Sequence, residues 1–461
     1  MADPLSPADR SALAAEQGPV RMTVGAVLVF EGGPGVQRNA VAARIAERIH
    51  LVPRLRQRLV AVPGGLTPPG WADDEEFDLG NHVRRLALSP PGDGAALARL
   101  TGVEMARPLD RARPLWELLV VDGLAGGRVA LIARIHHALV DGLAAVAIAA
   151  VLLDPAPEPT PVEQPADPWH PRPAELRRTL TRMVSAPITR GAELAGEVAE
   201  RLLEADPRRT AEDAARAAEL AAELARSRPQ APRLPLNGRL SESRSYAPAS
   251  WPLAEAKRVA AAGGGKINDV ILAGVTGMLA RWLAEAGAAL PPGREPVALV
   301  PVSVRAQDEA GGNRFSTVLV DLPLSEPDPL ARVRILHERV GGLRESAAVR
   351  AGALMVGAAG AGPPLLAGVV TRAMGTVRAF NLVVSNVPGP QFPLWMNGAR
   401  LLALHPAVPL NPAHQRLNVG VLSYDGRLGF GLLADGRLEP GAGVAAAALD
   451  AALAELAAAA G

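Results

Sequence analysis

The chain of 461 residues is 49% hydrophobic and 21% charged, with a formal net charge of +1. That length exceeds what one hydrophobic core usually organises, so two substantial domains are expected, and no strong field draws the protein to nucleic acid. Cysteine is absent, which excludes disulfide staples, thiolate metal sites and a cysteine nucleophile.

From the amino terminus, MADPLSPADR lacks the apolar core of a secretory signal. MTVGAVLVFEG, Met22 to Gly32, is β-branched and predicts a strand. VQRNAVAARIAERIHLV has helical spacing and ends before Pro53. WELLVVDGL and RVALIARIHH predict two strands of a hairpin, with Gly126 and Gly127 in the turn. LAAVAIAAVLL then reads as a helix, too short to cross a bilayer.

The proline-rich, acidic stretch DPAPEPTPVEQPAD marks a linker, and residues from about Pro173 to Arg228 are rich in Ala, Arg, Glu and Leu, which predicts helices. We therefore expect a first domain at residues 1–165, a helical connector at 166–235 and a second domain at 236–461. In the second domain, NDVILAGVTGMLARWLAEAG predicts an amphipathic helix, while PVALVPVSVR, NRFSTVLVDLPL and FNLVVSNVPGP predict strands. LNVGVLSYDGRLGFGLLADG predicts a hairpin turning at Tyr424 to Arg427. The apolar stretch Ala351 to Val370 is broken by five glycines and by Pro363 and Pro364, which argues against a lipid-exposed spanning helix and for burial or interfacial contact.

The polar residues of RIHHALVDG, Arg134 to Gly142, interrupt an apolar region. A strand over Val129 to His137 places Val129, Leu131, Ala133, Ile135 and His137 on one face, and Arg134 and His136 on the other. On that reading His137 ends an apolar face, where burial keeps its imidazole neutral and able to accept a proton. Asp141 either orients His137, caps the following helix, or pairs with an arginine from elsewhere. Gly142 allows close packing or an unusual dihedral.

HHALVDG resembles in full the HHxxxDG motif of the bacterial wax ester synthase and diacylglycerol acyltransferase family, within the CoA-dependent acyltransferase superfamily. The segments LSPADR, FDLGNHV, PLDRARPLWE, NDVILA, PVSVR, GNRFS and SNVPGP follow the family's order over nearly the whole chain. The resemblance implies an α/β fold of two chloramphenicol-acetyltransferase-like lobes joined by a helical crossover linker, with the site between them. It implies transfer of a long-chain acyl group from acyl-CoA, as co-substrate, to diacylglycerol or a long-chain alcohol. His137 is then the general base and His136 a supporting residue.

The resemblance makes Asp141 a structural residue held in a salt bridge, with Arg305 as a candidate partner. Asn268 is the candidate oxyanion donor; equally, Asn268 or Asp269 is the N-cap of its helix. Trp116 reads as packing, Glu117 as half of an ion pair, and Ser385 and Asn386, at a strand end, either as structural residues, the favoured reading, or as donors lining a channel. No resident cofactor is expected, and His50, His82, His170, His337, His405 and His414 lack metal-ligand spacing. The expected setting is cytoplasmic, peripheral to membranes or lipid droplets, with no nucleic-acid partner. Two other readings are a catalytically silent lipid-binding protein of the same fold and acyl transfer from a carrier protein.

Overall fold

The computed structural model describes residues 3–60, 69–140, 142–167, 169–171, 230–304, 314–344, 378–410 and 414–461. In the first lobe, α1 (Pro7–Ala15), β1 (Thr23–Phe30), α2 (Arg38–Arg48), β2 (Val83–Ala87), α3 (Gly94–Ala106), β3 (Trp116–Asp122), β4 (Val129–His136) and α4 (Gly142–Leu152) follow in chain order. The expected hairpin is present: β3 and β4 pair antiparallel, with Glu117 opposite Arg134. β1 pairs with β4 on its other side, from Thr23 opposite His136 to Phe30 opposite Val129.

The second lobe contains β5 (Arg244–Pro252), α5 (Leu253–Ala262), α6 (Ile267–Glu285), β6 (Val297–Val304), β7 (Arg314–Asp321), α7 (Pro329–Arg344) and β8 (Leu382–Val387), and later β11 (Leu417–Tyr424), β12 (Arg427–Asp435) and α8 (Ala442–Ala459). Its sheet order is β7-β6-β8-β11-β12-β5. The β11–β12 hairpin turns through Asp425 and Gly426, both at positive φ, as the YDGR signal requires. α6 departs from the amphipathic expectation, because every residue from Asp269 to Leu279 is buried. It is enclosed by the sheet and by α5, α7 and α8, and a helix enclosed on all sides is apolar all round.

Between β8 and β11 the chain returns to the first lobe as β9 (Trp395–Met396) and β10 (Ala399–Ala407). The first sheet therefore runs β9-β10-β1-β4-β3-β2, and the span 236–461 is not one lobe: β10 pairs with β1 from Ala407 opposite Gly25 to Leu401 opposite Phe30. Glycines make this crossing possible. A Cβ on Gly431 would stand 1.6 Å from the Pro406 carbonyl oxygen, and one on Gly429 would stand 1.9 Å from that of Leu404. Only bare backbone lets β10 lie so close against β12. The expected connector helices and the stretch Ala351 to Val370 lie outside the described residues.

Candidate active site

A cavity of about 530 Å³ lies between the two sheets. Leu131, Ala133 and Ile135 of β4 form one wall, α4 contributes Ala145 and Ile148, and Ser385, Val387 and Leu422 close the side of the second lobe. Ser385 and Glu117 are the polar residues of its described lining, and Glu117, directly opposite Arg134, turns its side chain to the other face of the sheet. Glu117 is already held by Arg134 at 2.5 Å and Arg84 at 3.5 Å. A space of this size and apolarity suits a hydrocarbon chain.

The cavity wall is the apolar face expected from the alternation along β4, but His137 is not buried at its end as that alternation predicts. β4 ends at His136, which is 1% exposed, whereas His137 is exposed. The reason is the turn that follows. Leu139 N–H donates to His136 O at 2.9 Å, folding Ala138 to Val140 inward, while His137 N–H prolongs the ladder to Met22 O at 2.7 Å. His137 thus follows Ile135 just past the end of the cavity wall. It does not line the cavity body.

His136 is buried among polar groups. Its Nδ1 accepts from Ala138 N–H at 3.0 Å, which assigns the proton to Nε2 in the neutral ring. Nε2 lies 3.5 Å from Glu16 Oε2 at the end of α1. Glu16 also accepts from Arg111 at 2.8 Å and from Met22 N–H at 3.2 Å. Burial works to raise the Glu16 pKa, but His136 and Arg111 outweigh it and hold the carboxyl down at about 2. One carboxylate therefore ties His136 to Met22, whose carbonyl holds the His137 backbone.

Trp116 is packed as expected, with a specific support. Its ring stacks on His82 with centroids 4.6 Å apart, and His82 stacks in turn on Phe77 at 5.3 Å. Burial pushes the His82 pKa down, so its neutral ring serves as a spacer. Its Nδ1 makes a 2.8 Å hydrogen bond with the Trp116 carbonyl. FDLGNHV and PLWE thus meet behind the cavity wall.

In the second lobe neither Asn268 nor Asp269 occupies the N-cap position, which belongs to Lys266. Asp269 nevertheless secures the helix start from the third position, its Oδ2 accepting from Lys266 N–H at 2.8 Å and lying 2.7 Å from His337 Nδ1. The Asn268 amide nitrogen is buried with no hydrogen-bond partner among the described residues. Ser385 lines the cavity. Gly142 is the first residue of α4, whereas Asp141 and Arg305 lie outside the described residues. Among the described residues no cluster of three or more metal-ligating side chains occurs.

Residues 5–271 match the wax ester synthase/diacylglycerol acyltransferase catalytic domain, and residues 311–457 match the WS/DGAT C-terminal domain. The chain belongs to this family. It is 35% identical over 452 residues to a Mycobacterium tuberculosis protein named "Probable diacyglycerol O-acyltransferase tgs1", covering 95% of this chain and 91% of that one. A solved wax ester synthase/diacylglycerol acyltransferase from Marinobacter aquaeolei VT8 is 27% identical with a TM-score of 0.68, covering 98% of both chains. The first condensation domain of the CDA synthetase shares the fold alone, at 18% identity and a TM-score of 0.56, over 100% of this chain and 96% of that one.

The protein is thus an acyltransferase of the WS/DGAT type, with an α/β two-lobed architecture. Sequence reading missed the Glu16–His136 contact and the stacking of Phe77 on His82. LSPADR and FDLGNHV flagged the segments, but the partners lie far apart along the chain. No local spacing encodes them.

Proposed function

We propose that this WS/DGAT family member transfers a long-chain acyl group from acyl-CoA to the free hydroxyl of diacylglycerol, a long-chain alcohol being the other acceptor it accommodates. The observation that carries this reading is the apolar cavity, whose β4 wall leads to His137. An alcohol is a poor nucleophile at neutral pH. His137 takes its proton as the oxygen attacks the thioester carbon, and the tetrahedral intermediate collapses by expelling the coenzyme thiolate. The proton then passes from His137 to sulfur, leaving the ester and free CoA.

Asn268 is the candidate donor to the oxyanion, a role supported by its buried amide nitrogen without a partner among the described residues. Asp141 is assigned to structure and Gly142 to the strand-to-helix turn. Since both substrates are lipidic, we place the enzyme on the cytoplasmic side, peripheral to membranes or lipid droplets. Salt or detergent then releases it on fractionation, and recovery only as an integral membrane protein counts against that placement.

A competition assay tests the substrate reading. Purified protein receives labelled palmitoyl-CoA with equal amounts of diacylglycerol, hexadecanol and a short alcohol, and the products are separated by chromatography. Triacylglycerol as the main product is expected. Preferential esterification of the short alcohol overturns the lipid acceptor.

A further inference from the structure

The cavity accommodates an acyl chain and nothing strongly charged, yet an acyl-CoA donor carries three phosphate groups. Those groups need a separate place along the same path. Three arginines gather beyond one end of the cavity, at the start of β8. Arg378 donates from Nε to Ala231 O at 3.1 Å and from Nη2 to Gln230 Oε1 at 3.4 Å. Arg294 donates to the backbone carbonyl of the same Gln230, and Arg233 stands exposed next along that segment. Among the described residues none of the three has a carboxylate partner.

Burial lowers the Arg378 pKa, and the positive charges of Arg233 and Arg294 lower it further. Like charges held together without a counter-charge favour an anion in their midst. Arg294 also borders a cleft of about 430 Å³ that includes Glu295, Asp321 and Ser325. Glu295 is engaged by Arg339 at 2.6 Å, so it does not neutralise Arg294.

The arginines and the cavity share one face of the second sheet. Along β8, alternation puts Val383, Ser385 and Val387 on the same side. Val383 packs with Ala231, Val297 and Phe380 beside the arginines, while Ser385 and Val387 line the cavity. Val408 touches both regions. In the first sheet Ala407 lies opposite Gly25, and Gly25 opposite Arg134, so Val408 stands level with the end of β4, where His137 is. The path from the arginines to the cavity therefore runs level with the end of β4 that precedes His137, two strands across the sheet from it. From Arg378 to Ser385 it spans about 25 Å at most, the limit for an extended chain.

We infer that Arg233, Arg294 and Arg378 form a phosphate-binding site for the phosphorylated ADP end of the acyl donor, an inference resting on the acyl-CoA reading above. The pantetheine arm then runs along the β8 face, the thioester stops beside His137, and the acyl chain enters the cavity. Phosphate affinity at this site serves donor binding and leaves the transfer step to His137.

The test compares palmitoyl-CoA with palmitoyl-N-acetylcysteamine, which presents the same thioester without phosphates, using the full-length protein and a diacylglycerol acceptor. The variants are Arg233→Gln with Arg294→Gln, both at exposed positions, and separately Arg378→Gln. Each is expected to raise the KM for palmitoyl-CoA about tenfold or more relative to that for the phosphate-free donor, as lost charge-assisted hydrogen bonds do. An equal rise for both donors, or no rise, overturns the site. Loss of binding to vesicles containing phosphatidylglycerol, with the palmitoyl-CoA KM unchanged, reassigns the arginines to a lipid headgroup and also overturns it. If the wild-type protein turns over neither donor, the donor reading itself fails. Turnover of both by wild type isolates the arginine question.

Discussion

Asp154 and Trp395 exchange backbone hydrogen bonds in both directions, each 2.9 Å long. Asp154 closes the segment that follows α4, and Trp395 opens the strand that crosses from the second lobe. The Asp154 side chain, 1% exposed, lies within 2.6 Å of both Arg44 and Arg48 on α2. This junction sets where α4 stands, and α4 is a cavity wall.

Asp154→Asn leaves the buried Arg48 without its carboxylate and Arg44 with Glu47 alone. Breaking a buried pair by removing one partner costs about 3–5 kcal/mol, and urea unfolding is expected to show a loss of that size. A loss under about 1 kcal/mol would mean that the backbone bridge alone holds the junction.

The two histidines are predicted to separate stability from chemistry. His137 is exposed, so His137→Ala is expected to keep the parental melting curve while lowering acyl transfer about a hundredfold to ten-thousandfold, the usual range for losing a general base. His136 is buried and accepts from Ala138 N–H, so His136→Ala should lower the melting temperature first and activity with it. Thiol release from acyl-CoA and thermal unfolding measure the two effects. Near-normal turnover in the His137 variant removes it from the base role.

Glu16 gives a pH dependence with a definite sign. Its folded pKa, about 2, lies below the ordinary 4.5, so the stabilisation it brings is present above about 4.5 and fades as the pH falls toward 2. The full shift corresponds to roughly 3 kcal/mol at neutral pH. Comparing urea unfolding at pH 6 and pH 3, Glu16→Gln should lose less stability on acidification than the wild type. Equal losses would show that Glu16 is not held in its charged form by His136 and Arg111.

Much of the fold was legible because local periodicity carries it. The alternation along β4 named the cavity face, and YDGR named the hairpin between β11 and β12. What stayed hidden depends on contacts between distant segments. Nothing local marks β10 as a strand that leaves the second lobe to pair with β1; Gly429 and Gly431 were visible only as glycines until Leu404 and Pro406 lay against them. His137 is exposed where burial was expected, because alternation was carried one residue past the strand end, into the turn at Ala138. Asn268 and Asp269 were placed at the right helix terminus, but capping came from Asp269 at the third position, a distinction that spacing leaves open.

Ala133 offers a direct probe of what the cavity holds. It faces the space between Leu131 and Ile135, and its half-buried side chain is bordered by void on one side, so Ala133→Leu fills empty volume and should cost less than the 1–3 kcal/mol typical of overpacking a filled core. An acyl chain that shares this space then loses room for its last methylenes. Each methylene denied burial costs about 0.8 kcal/mol, and excluding two or three lowers kcat/KM for a palmitoyl donor about tenfold to fiftyfold. An octanoyl donor, ending short of the added bulk, should be nearly unaffected. The ratio of kcat/KM for palmitoyl-CoA to octanoyl-CoA is therefore expected to fall by that factor in Ala133→Leu. An unchanged ratio, in a variant with the parental melting curve, would place the acyl chain outside this cavity.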